Sequence, residues 1–150
     1  MDETDRRLLR LLQRDGRMTN VELSRQAHLS QAAVFERVKK LQRDGIIQGY
    51  TVRLDPEKLG RGLLILVEIT LDRTNQAIFD EFAIAVRRVP DIIECNMIAG
   101  GFDYLIKARV SDMAAYRTFL GETLVALPGV RQTRTYTVME EVKTSGDIPV

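Results

Sequence analysis

The hydrophobic pattern changes its period near residue 46, and this change constrains the fold more than any other feature of the chain. Residues 1–45 carry apolar side chains at three- and four-residue spacing, which is typical of amphipathic helices. From residue 46 onward, runs rich in alternating and β-branched residues indicate strands, with helical runs between some of them. A chain of 150 residues is long enough for two small domains. We therefore predict an α+β protein whose N-terminal domain, residues 1–45, is helical.

Two helices are predicted at the start of this domain. The first ends before Gly16 and carries an apolar stripe, formed by Leu8, Leu11 and Leu12. Thr19 or Asn20 caps the second helix, because a short polar side chain can accept from the first free backbone amides. Glu22 would complete a capping box with Thr19, and this short helix ends near Ala27.

A tight turn at His28 and Leu29 leads to a third helix, which Ser30 caps and Gly45 ends. Its buried stripe consists of Val34, Val38 and Leu41. The small Ala27 lets the second and third helices approach closely, and Leu29 can fill the turn. This pattern predicts a helix-turn-helix, in which the last helix projects into a DNA major groove.

The side chains off that stripe form a candidate DNA-binding surface. Its residues are Ser30, Gln31, Ala32, Phe35, Arg37, Lys39, Lys40 and Arg43. Gln31 suits adenine and Ala32 suits a thymine methyl group, while the lysines and the last arginine are placed for phosphates. Two alternatives stay open. Phe35 could pack on the first helix, and Arg37 could form a structural pair with Glu36 instead of contacting phosphate.

Residues 46–62 are predicted to connect the two domains. Residues 46–55 have the composition of a tether strand, with Gly49 at the position of a bulge, and residues 55–62 have that of a linker. The second domain, residues 63–150, is predicted as strand, helix, strand, strand, helix and strand over 63–71, 78–89, 92–99, 103–110, 113–127 and 130–142. The polar tail after residue 142 is expected to be frayed.

The β-α-β-β-α-β order indicates a ferredoxin-like sandwich, in which two helices cover one face of a four-stranded antiparallel sheet. One side of the first strand is wholly apolar and carries Leu63, Ile65, Val67, Ile69 and Leu71. Glu68 and Thr70 fall on the other side. We expect the uncovered face of the sheet to be buried against a second subunit, because strands this apolar are costly in water.

Composition argues against several classes of function. With one histidine, His28, and one cysteine, Cys95, the chain offers neither a metal cluster nor a nucleophile–base pair, so no enzyme and no cofactor are expected. Cys95 is most simply a small buried hydrophobe. No apolar run reaches the roughly 18 residues of a membrane span, and the N-terminus lacks a secretory pattern. We therefore expect a cytoplasmic protein. Residues 1–60 hold 12 Lys and Arg against 9 Asp and Glu, which is weak evidence for nucleic-acid binding.

Long segments of the chain are similar, in order and spacing, to a known family. They include NVELSRQAHLS, ERVKKLQRDGIIQGYTVRLDP, LVEITL, GGFDYLIKARVSDMAAYRTFLGETLVALPGV and TRTYTVMEEVK. From about Asp2 to Lys143 the chain resembles the leucine-responsive regulatory protein/AsnC family, the feast/famine regulators of bacteria and archaea, and is nearest the leucine-responsive branch. The resemblance implies an N-terminal helix-turn-helix, a tether strand and a C-terminal ferredoxin-like effector domain. It also implies an amino-acid effector and homodimers that associate further, often to octamers.

The resemblance points to a loop that binds the effector. The family's loop resembles Gly-Asp-Phe-Asp-Tyr, whereas residues 100–104 read Gly-Gly-Phe-Asp-Tyr, so one acid is absent. Backbone amides at Gly100 and Gly101 can take the effector's carboxylate, and Asp103 can take its ammonium. The candidate effector residues are Met97, Gly100, Gly101, Asp103, Tyr104, Thr133 and Thr135. In the alternative, the glycines form a hairpin turn, Asp103 caps it, and the threonines fill strand positions.

A second departure lies at the start of the third helix. The leucine-responsive branch resembles Ser-Pro-Thr-Pro there, and this chain has Ser-Gln-Ala-Ala from Ser30 to Ala33, so an operator sequence does not carry over. We predict a transcriptional regulator that binds double-stranded DNA and responds to leucine or another apolar amino acid, because Met97, Ile98 and Tyr104 would shape an apolar pocket. The alternative is an oligomeric amino-acid-binding module without specific DNA binding, which predicts no salt-sensitive affinity for DNA.

Overall fold

The computed structural model describes all 150 residues and divides into two compact units. Unit 1 comprises Met1–Arg53 together with Lys143–Val150, and unit 2 comprises Leu54–Val142. None of the helices combines the length and the apolar character needed to cross a membrane.

Three helices form unit 1, and each begins at a side-chain cap. They are α1 (Glu3–Arg14), α2 (Asn20–Ala27) and α3 (Gln31–Arg43). Asp2, Thr19 and Ser30 are the caps, and each accepts from the backbone amide three residues further on. The capping box between Thr19 and Glu22 is formed, so the predicted start of α2 is confirmed with Thr19 as the cap.

Apolar side chains of the three helices pack into one small core. Its buried members are Leu8, Leu23, Ala27 and Val34, and the partly buried side chains around them are Leu11, Leu12, Met18, Leu29 and Val38. Between α2 and α3 the chain turns sharply because His28 adopts a left-handed conformation (φ 57°, ψ 47°). The Leu29 amide then donates to the Ser24 carbonyl at 3.0 Å. The predicted helix-turn-helix is thus confirmed.

The predicted tether strand is not formed. Residues 46–62 contain no strand, and the sheet pairs only strands of unit 2. A strand requires a neighbouring backbone to complete its hydrogen bonds. The composition of residues 46–55 favours a strand but does not show whether such a neighbour is present. The segment begins instead as an irregular chain in which the Tyr50 ring lies against Gly16.

The C-terminal tail is also different from the prediction, which left it frayed at the end of the second domain. Two side chains of α1 hold it. Arg10 Nη1 donates to the Val150 carbonyl at 2.9 Å. The Gln13 side-chain amide donates to the Ile148 carbonyl at 3.0 Å and accepts from the Ile148 amide at 2.8 Å. These long-range contacts, which composition does not reveal, attach the tail to the helical unit.

Unit 2 is a four-stranded antiparallel sheet with two helices. Its elements are β1 (Leu63–Leu71), α4 (Gln76–Val86), β2 (Ile92–Met97), β3 (Tyr104–Val110), α5 (Met113–Phe119) and β4 (Val130–Thr137). The strand order β2-β3-β1-β4 is the ferredoxin-like arrangement that the sequence predicts. β1 is central, and its Glu68 lies opposite Leu105 of β3 and Arg134 of β4.

The helix predicted over residues 113–127 is interrupted. α5 ends at Phe119 and continues as a π-helical turn, Leu120–Leu124, in which the Val125 amide donates to the Leu120 carbonyl at 3.2 Å. Gly121 lies in this turn, and its low helix propensity makes a regular α-helix through residues 120–124 less stable. Leu124 remains fully buried.

Gly129 shapes the turn that leads into β4. Its φ is +71°, and a Cβ at this position would lie 2.7 Å from Cγ1 of Ile78, so a side chain is excluded by both conformation and space. The Gly129 carbonyl accepts from the Asp72 amide at 2.8 Å. This bond ties the start of β4 to the end of β1.

The helix side of the sheet carries the core of unit 2. On β1 its fully buried members are Ile65, Val67 and Ile69. Phe82 of α4 stacks on Tyr104 of β3 with ring centroids 4.4 Å apart. Cys95 packs against this core but is only partly buried, less than the buried hydrophobe that the sequence predicted, and its burial raises the pKa of its thiol. The other face of the sheet has no helix over it.

Candidate DNA-binding surface and effector cleft

The outward face of α3 is the candidate DNA-binding surface. Val34 and Leu41 turn one side of the helix into the protein, so the opposite side is left to solvent. The exposed residues on that side include the candidate contacts Gln31, Ala32, Phe35, Lys39, Lys40 and Arg43, together with one acid, Glu36. Ser30 caps the helix, its hydroxyl accepting from the Ala33 amide at 3.2 Å. A helix N-terminus favours anions such as phosphate.

Phe35 is half exposed, at 50% of its full surface. The Lys39 ammonium lies 5.7 Å from the centroid of its ring, which is within the range of a cation–π contact. Phe35 does not belong to the small core that α1 shares with α2 and α3. An exposed aromatic ring beside a lysine is available to contact DNA.

A cleft of about 850 Å³ runs along α3, where the beginning of α1 also lines it. Its charged residues are Asp2, Asp5, Glu36, Arg37, Lys39, Lys40 and Arg43. Arg37 pairs with the two aspartates. Arg43 pairs with Asp44, its neighbour outside the cleft, at 3.1 Å. Lys39 and Lys40 form no ion pair and face one unpaired acid, Glu36, so this part of the cleft is basic.

Arg37 occupies a structural ion pair, with partners other than the expected Glu36. Its Nη1 lies 2.7 Å from Oδ2 of Asp2 and 2.7 Å from Oδ1 of Asp5. The Asp5 amide and Arg37 hold the pKa of Asp2 below its ordinary value. Burial acts to raise the pKa of Asp5, but hydrogen bonds from the Asp2 amide and from Arg37 outweigh it, so that pKa is also lowered.

The loop that the sequence predicted to bind the effector opens onto a second, smaller cleft in unit 2. It has a volume of about 160 Å³ and is lined by Glu68, Thr70, Gly101, Phe102, Arg131, Gln132 and Arg134. A Cβ built on Gly101 would meet no atom within 4 Å, so the glycine widens the cleft. Its lining combines two guanidinium groups, one carboxylate and one aromatic ring.

Glu68 is the acid of this cleft. Its side chain is 22% exposed, and its Oε2 lies 3.9 Å from Nη1 of Arg134. Tyr136 donates its hydroxyl proton to Glu68 Oε1 at 3.0 Å, which holds the carboxylate in place. A zwitterionic amino acid needs a cation for its carboxylate and an anion for its ammonium, and these groups supply both.

Asp103 holds the loop to the sheet. Its Oδ2 accepts from the Leu71 amide at 2.7 Å, and its own amide donates to the Ile69 carbonyl at 2.9 Å. Its carbonyl accepts from the Ile98 amide at 2.8 Å. These bonds fit the alternative in which Asp103 is a turn cap.

The other expected effector residues are dispersed. Tyr104 is buried in the core against Phe82. Met97 lies opposite Tyr104 in the register, at the helix side of the sheet edge, and is exposed. Thr133 pairs with Ile69 of β1 and Thr135 with Val67, so both threonines lie on the helix side of the sheet. Thr135 also hydrogen bonds with the Tyr116 hydroxyl. Of the seven expected residues, Gly101 alone lines the cleft.

Six residues of the cleft were absent from the sequence-based set: Glu68, Thr70, Phe102, Arg131, Gln132 and Arg134. The two-residue alternation of β1 separates Glu68 and Thr70 from its apolar side, and this signal could have identified them. The contribution of β4 depends on its register with β1, in which Arg134 lies opposite Glu68 and Gln132 opposite Thr70. A single sequence does not reveal that register.

Two family models match the chain. Residues 1–48 match a winged helix-turn-helix DNA-binding domain, and residues 64–148 match the Lrp/AsnC ligand binding domain. The chain is also similar to the leucine-responsive regulatory proteins of Escherichia coli K12 and Salmonella typhimurium. Each is 52% identical over 150 residues, which is 100% of this chain and 92% of the relative.

Solved structures show the same similarity. A transcriptional regulator from Neisseria meningitidis, solved as a complex with L-Met, has a TM-score of 0.94 and 34% identity, and the match covers 99% of this chain and 96% of that one. An AsnC family regulator from Agrobacterium tumefaciens has a TM-score of 0.94 and 28% identity, with 99% and 97% covered.

Proposed function

The chain belongs to the Lrp/AsnC family of transcriptional regulators, and from this premise we propose how it acts. The exposed face of α3 reads double-stranded DNA, and the polar cleft of unit 2 binds an amino acid that changes this binding. A protein with this task works in the cytoplasm, where DNA and free amino acids are both available.

The observation that carries the proposal is the row of exposed side chains along α3. Gln31 and Ala32 lie in the first turn, where a recognition helix reaches base edges. Further along the helix, the basic side chains can contact phosphates on either side of the groove. The proposed DNA-binding residues are Ser30, Gln31, Ala32, Phe35, Lys39, Lys40 and Arg43.

The effector in this proposal is an apolar amino acid. Arg131 and Arg134 take its carboxylate, Glu68 takes its ammonium, and Phe102 borders its side chain. The similar regulator from Neisseria meningitidis was solved with L-Met, which supports methionine, leucine or a residue of similar size. Asp103 keeps the loop in place behind the cleft.

We further propose that the chain forms homodimers through the uncovered sheet face, and that the dimers associate further, for instance to octamers. Leu66 lies on this face and is partly exposed, while Leu64, two residues away on the same face, is already buried. Leu66→Asp should shift the full chain to smaller species in sedimentation velocity, because a buried charge would lack a partner. A wild-type chain that is monomeric at micromolar concentration would contradict this part of the proposal.

DNA selection tests the function as a whole. The full chain is mixed with a library of duplexes of random sequence, and bound duplexes are recovered and sequenced. We expect one motif to be enriched, and we expect Gln31→Ala to alter that motif more than the overall affinity. If no motif is enriched, the chain is an amino-acid-binding module without specific DNA binding.

A thermal-shift screen identifies the effector, since a ligand that binds the folded protein raises its melting temperature. Leucine and methionine should produce larger shifts than aspartate or lysine. The amino acid with the largest shift is then added to the DNA-binding assay. The affinity for the selected duplex should change in its presence. An unchanged affinity would show that binding of the amino acid does not affect DNA binding.

A further inference from the structure

We propose that Arg37 is a positioning residue for DNA recognition. Through Asp2 and Asp5 it clamps the beginning of α1 to the middle of α3, and this clamp sets how α3 presents its DNA-reading face. The inference rests on the proposed function, because it concerns the same helix. It gives Arg37 a task other than the phosphate contact that its place on α3 would suggest.

The clamp uses every carboxylate oxygen of the two aspartates. Oδ1 of Asp2 accepts from the Asp5 amide at 2.8 Å, and Oδ2 of Asp5 accepts from the Asp2 amide at 3.0 Å, which completes the capping box of α1. The other oxygen of each carboxylate accepts from Nη1 of Arg37. One guanidinium nitrogen therefore bridges two carboxylates that the capping box has already brought together.

Burial distinguishes the Asp5 half of the clamp from a surface ion pair, whereas the Asp2 side chain is 55% exposed. Asp5 is 7% exposed and is the buried charged residue of the chain, while the Arg37 side chain is 34% exposed. A buried carboxylate requires a cation or several donors to remain ionised. Without Arg37, two carboxylates held close together would repel each other at the start of α1.

The clamp adds direction to a contact that is otherwise apolar. α1 and α3 share the small core through Leu8 and Val34, and such packing is non-directional. A charge-assisted hydrogen bond is short and geometrically restrictive. By joining α1 to the middle of α3, Arg37 restricts rotation and sliding of the helix that carries Gln31 and Lys40.

The two possible tasks of Arg37 predict different effects of a substitution at Asp5, one on overall DNA affinity and the other on sequence preference. If Arg37 contacted phosphate, Asp5→Asn would release it and remove a negative charge near DNA, so DNA would bind more tightly. If Arg37 is a positioning residue, Asp5→Asn loosens the clamp and reduces sequence preference, although the substitution makes the protein more positive. Arg37→Gln should reduce sequence preference in the same way.

The experiment measures the affinity of the full chain for two duplexes over a range of salt concentrations. One duplex is selected by the wild-type protein from a random library, and the other is a shuffled sequence of the same length. We expect Arg37→Gln and Asp5→Asn each to lower the ratio of the two affinities by about tenfold, the size of losing one base contact. The double variant should lose no more than the stronger single variant, because both changes break one unit.

Two further variants serve as controls. Arg37→Lys retains a cation that can donate to both carboxylates, as one nitrogen of Arg37 does now, so most of the ratio should be kept. Glu3→Gln removes one negative charge from the same turn of α1, where Glu3 pairs with Arg10 and not with the clamp. Its ratio should equal that of the wild-type protein.

The proposal is overturned if Arg37→Gln lowers the salt slope by about 1 with the ratio intact, since that is the signature of a lost phosphate contact. Tighter binding of both duplexes by Asp5→Asn, with their ratio intact, would overturn it as well. Circular dichroism at the assay temperature establishes which variants are folded. If Arg37→Gln is unfolded there, Asp5→Asn carries the test, because asparagine can still accept from the Asp2 amide. A wild-type chain that selects no duplex would instead contradict the proposed function itself.

Discussion

The candidate DNA-binding surface and the proposed effector cleft are built in different ways. The surface lies on one helix, α3, and its side chains keep helical spacing wherever that helix is placed. The cleft gathers residues from β1, from the loop after β2 and from β4, so its geometry depends on strand register. Substitutions on the surface should therefore remove contacts one at a time. Substitutions around the cleft should divide into those that remove a ligand contact and those that loosen the sheet.

Glu68→Gln should produce the largest effect of these substitutions, a loss of affinity for the amino acid without a loss of folding stability. Leaving the ammonium of the amino acid without its shielded partner costs about 2–5 kcal/mol of binding free energy, with the lower end favoured because Glu68 is partly exposed. Glutamine can still accept from Tyr136, so the melting temperature without ligand should change little. Isothermal titration with the amino acid from the thermal screen measures the effect.

Glu94→Gln is the matched control for this change. Glu94 pairs with Lys107 at 3.2 Å and does not line the cleft, so its substitution should leave ligand affinity unchanged. Equal affinities for the wild-type protein and Glu68→Gln would show that the ammonium is bound elsewhere.

Asp103→Ala should combine both kinds of effect. The Leu71 amide loses its acceptor, and an unsatisfied, partly buried donor costs about 1–3 kcal/mol of folding stability. The ligand response should fall as well, because the loop that carries Gly101 is no longer tied to β1. Urea unfolding followed by circular dichroism measures the stability. Glu122→Ala, at an exposed site, should leave it unchanged, and an equally stable Asp103→Ala would mean that this bond does not hold the loop.

The clamp in unit 1 predicts a smaller, pH-dependent effect. The pKa values of Asp2 and Asp5 lie below their ordinary value of 3.8 in the folded protein. The clamp therefore stabilises the folded state above that value, and this stabilisation is lost as the pH falls through the lowered pKa values. The melting temperatures of the wild-type protein and Arg37→Gln should differ at about pH 6 and converge towards about pH 3.

Arg17→Gln provides the comparison for that experiment, because Arg17 is exposed and forms no ion pair. Its melting temperature should keep a constant difference from the wild-type protein over the same range. A difference between the wild-type protein and Arg37→Gln that widens in acid would contradict the assignment of the clamp.

The sequence was most informative where the structure is local. Ser30 and Gly45 mark the ends of α3 through caps that involve only nearby residues, and the spacing of Val34 and Leu41 determines which side is exposed. The set of exposed residues that we propose to contact DNA followed from these signals. Arg37 was ambiguous, because its partners lie on α1 and sequence distance gives no hint of them.

The cleft was harder to predict because it depends on contacts between distant segments. The alternation of β1 places Glu68 away from the core, but its neighbour Arg134 follows only from the register with β4. Asp103 and Tyr104 were assigned from a loop motif, and the motif does not distinguish a ligand contact from a turn cap or a core residue. The prediction of the tether strand was wrong for a related reason, since composition indicates strand propensity but does not reveal whether a pairing strand is present.

The central claim is that the exposed face of α3 binds DNA, and the salt dependence of binding tests it most directly. The affinity of the full chain for its selected duplex is measured across salt concentrations for the wild-type protein, Lys40→Ala and Arg43→Ala. Each substitution should lower the slope of log affinity against log salt by about 1, with similar losses for selected and shuffled duplexes. Slopes and affinities that match those of the wild-type protein in both variants would contradict the account and place the DNA-binding surface elsewhere.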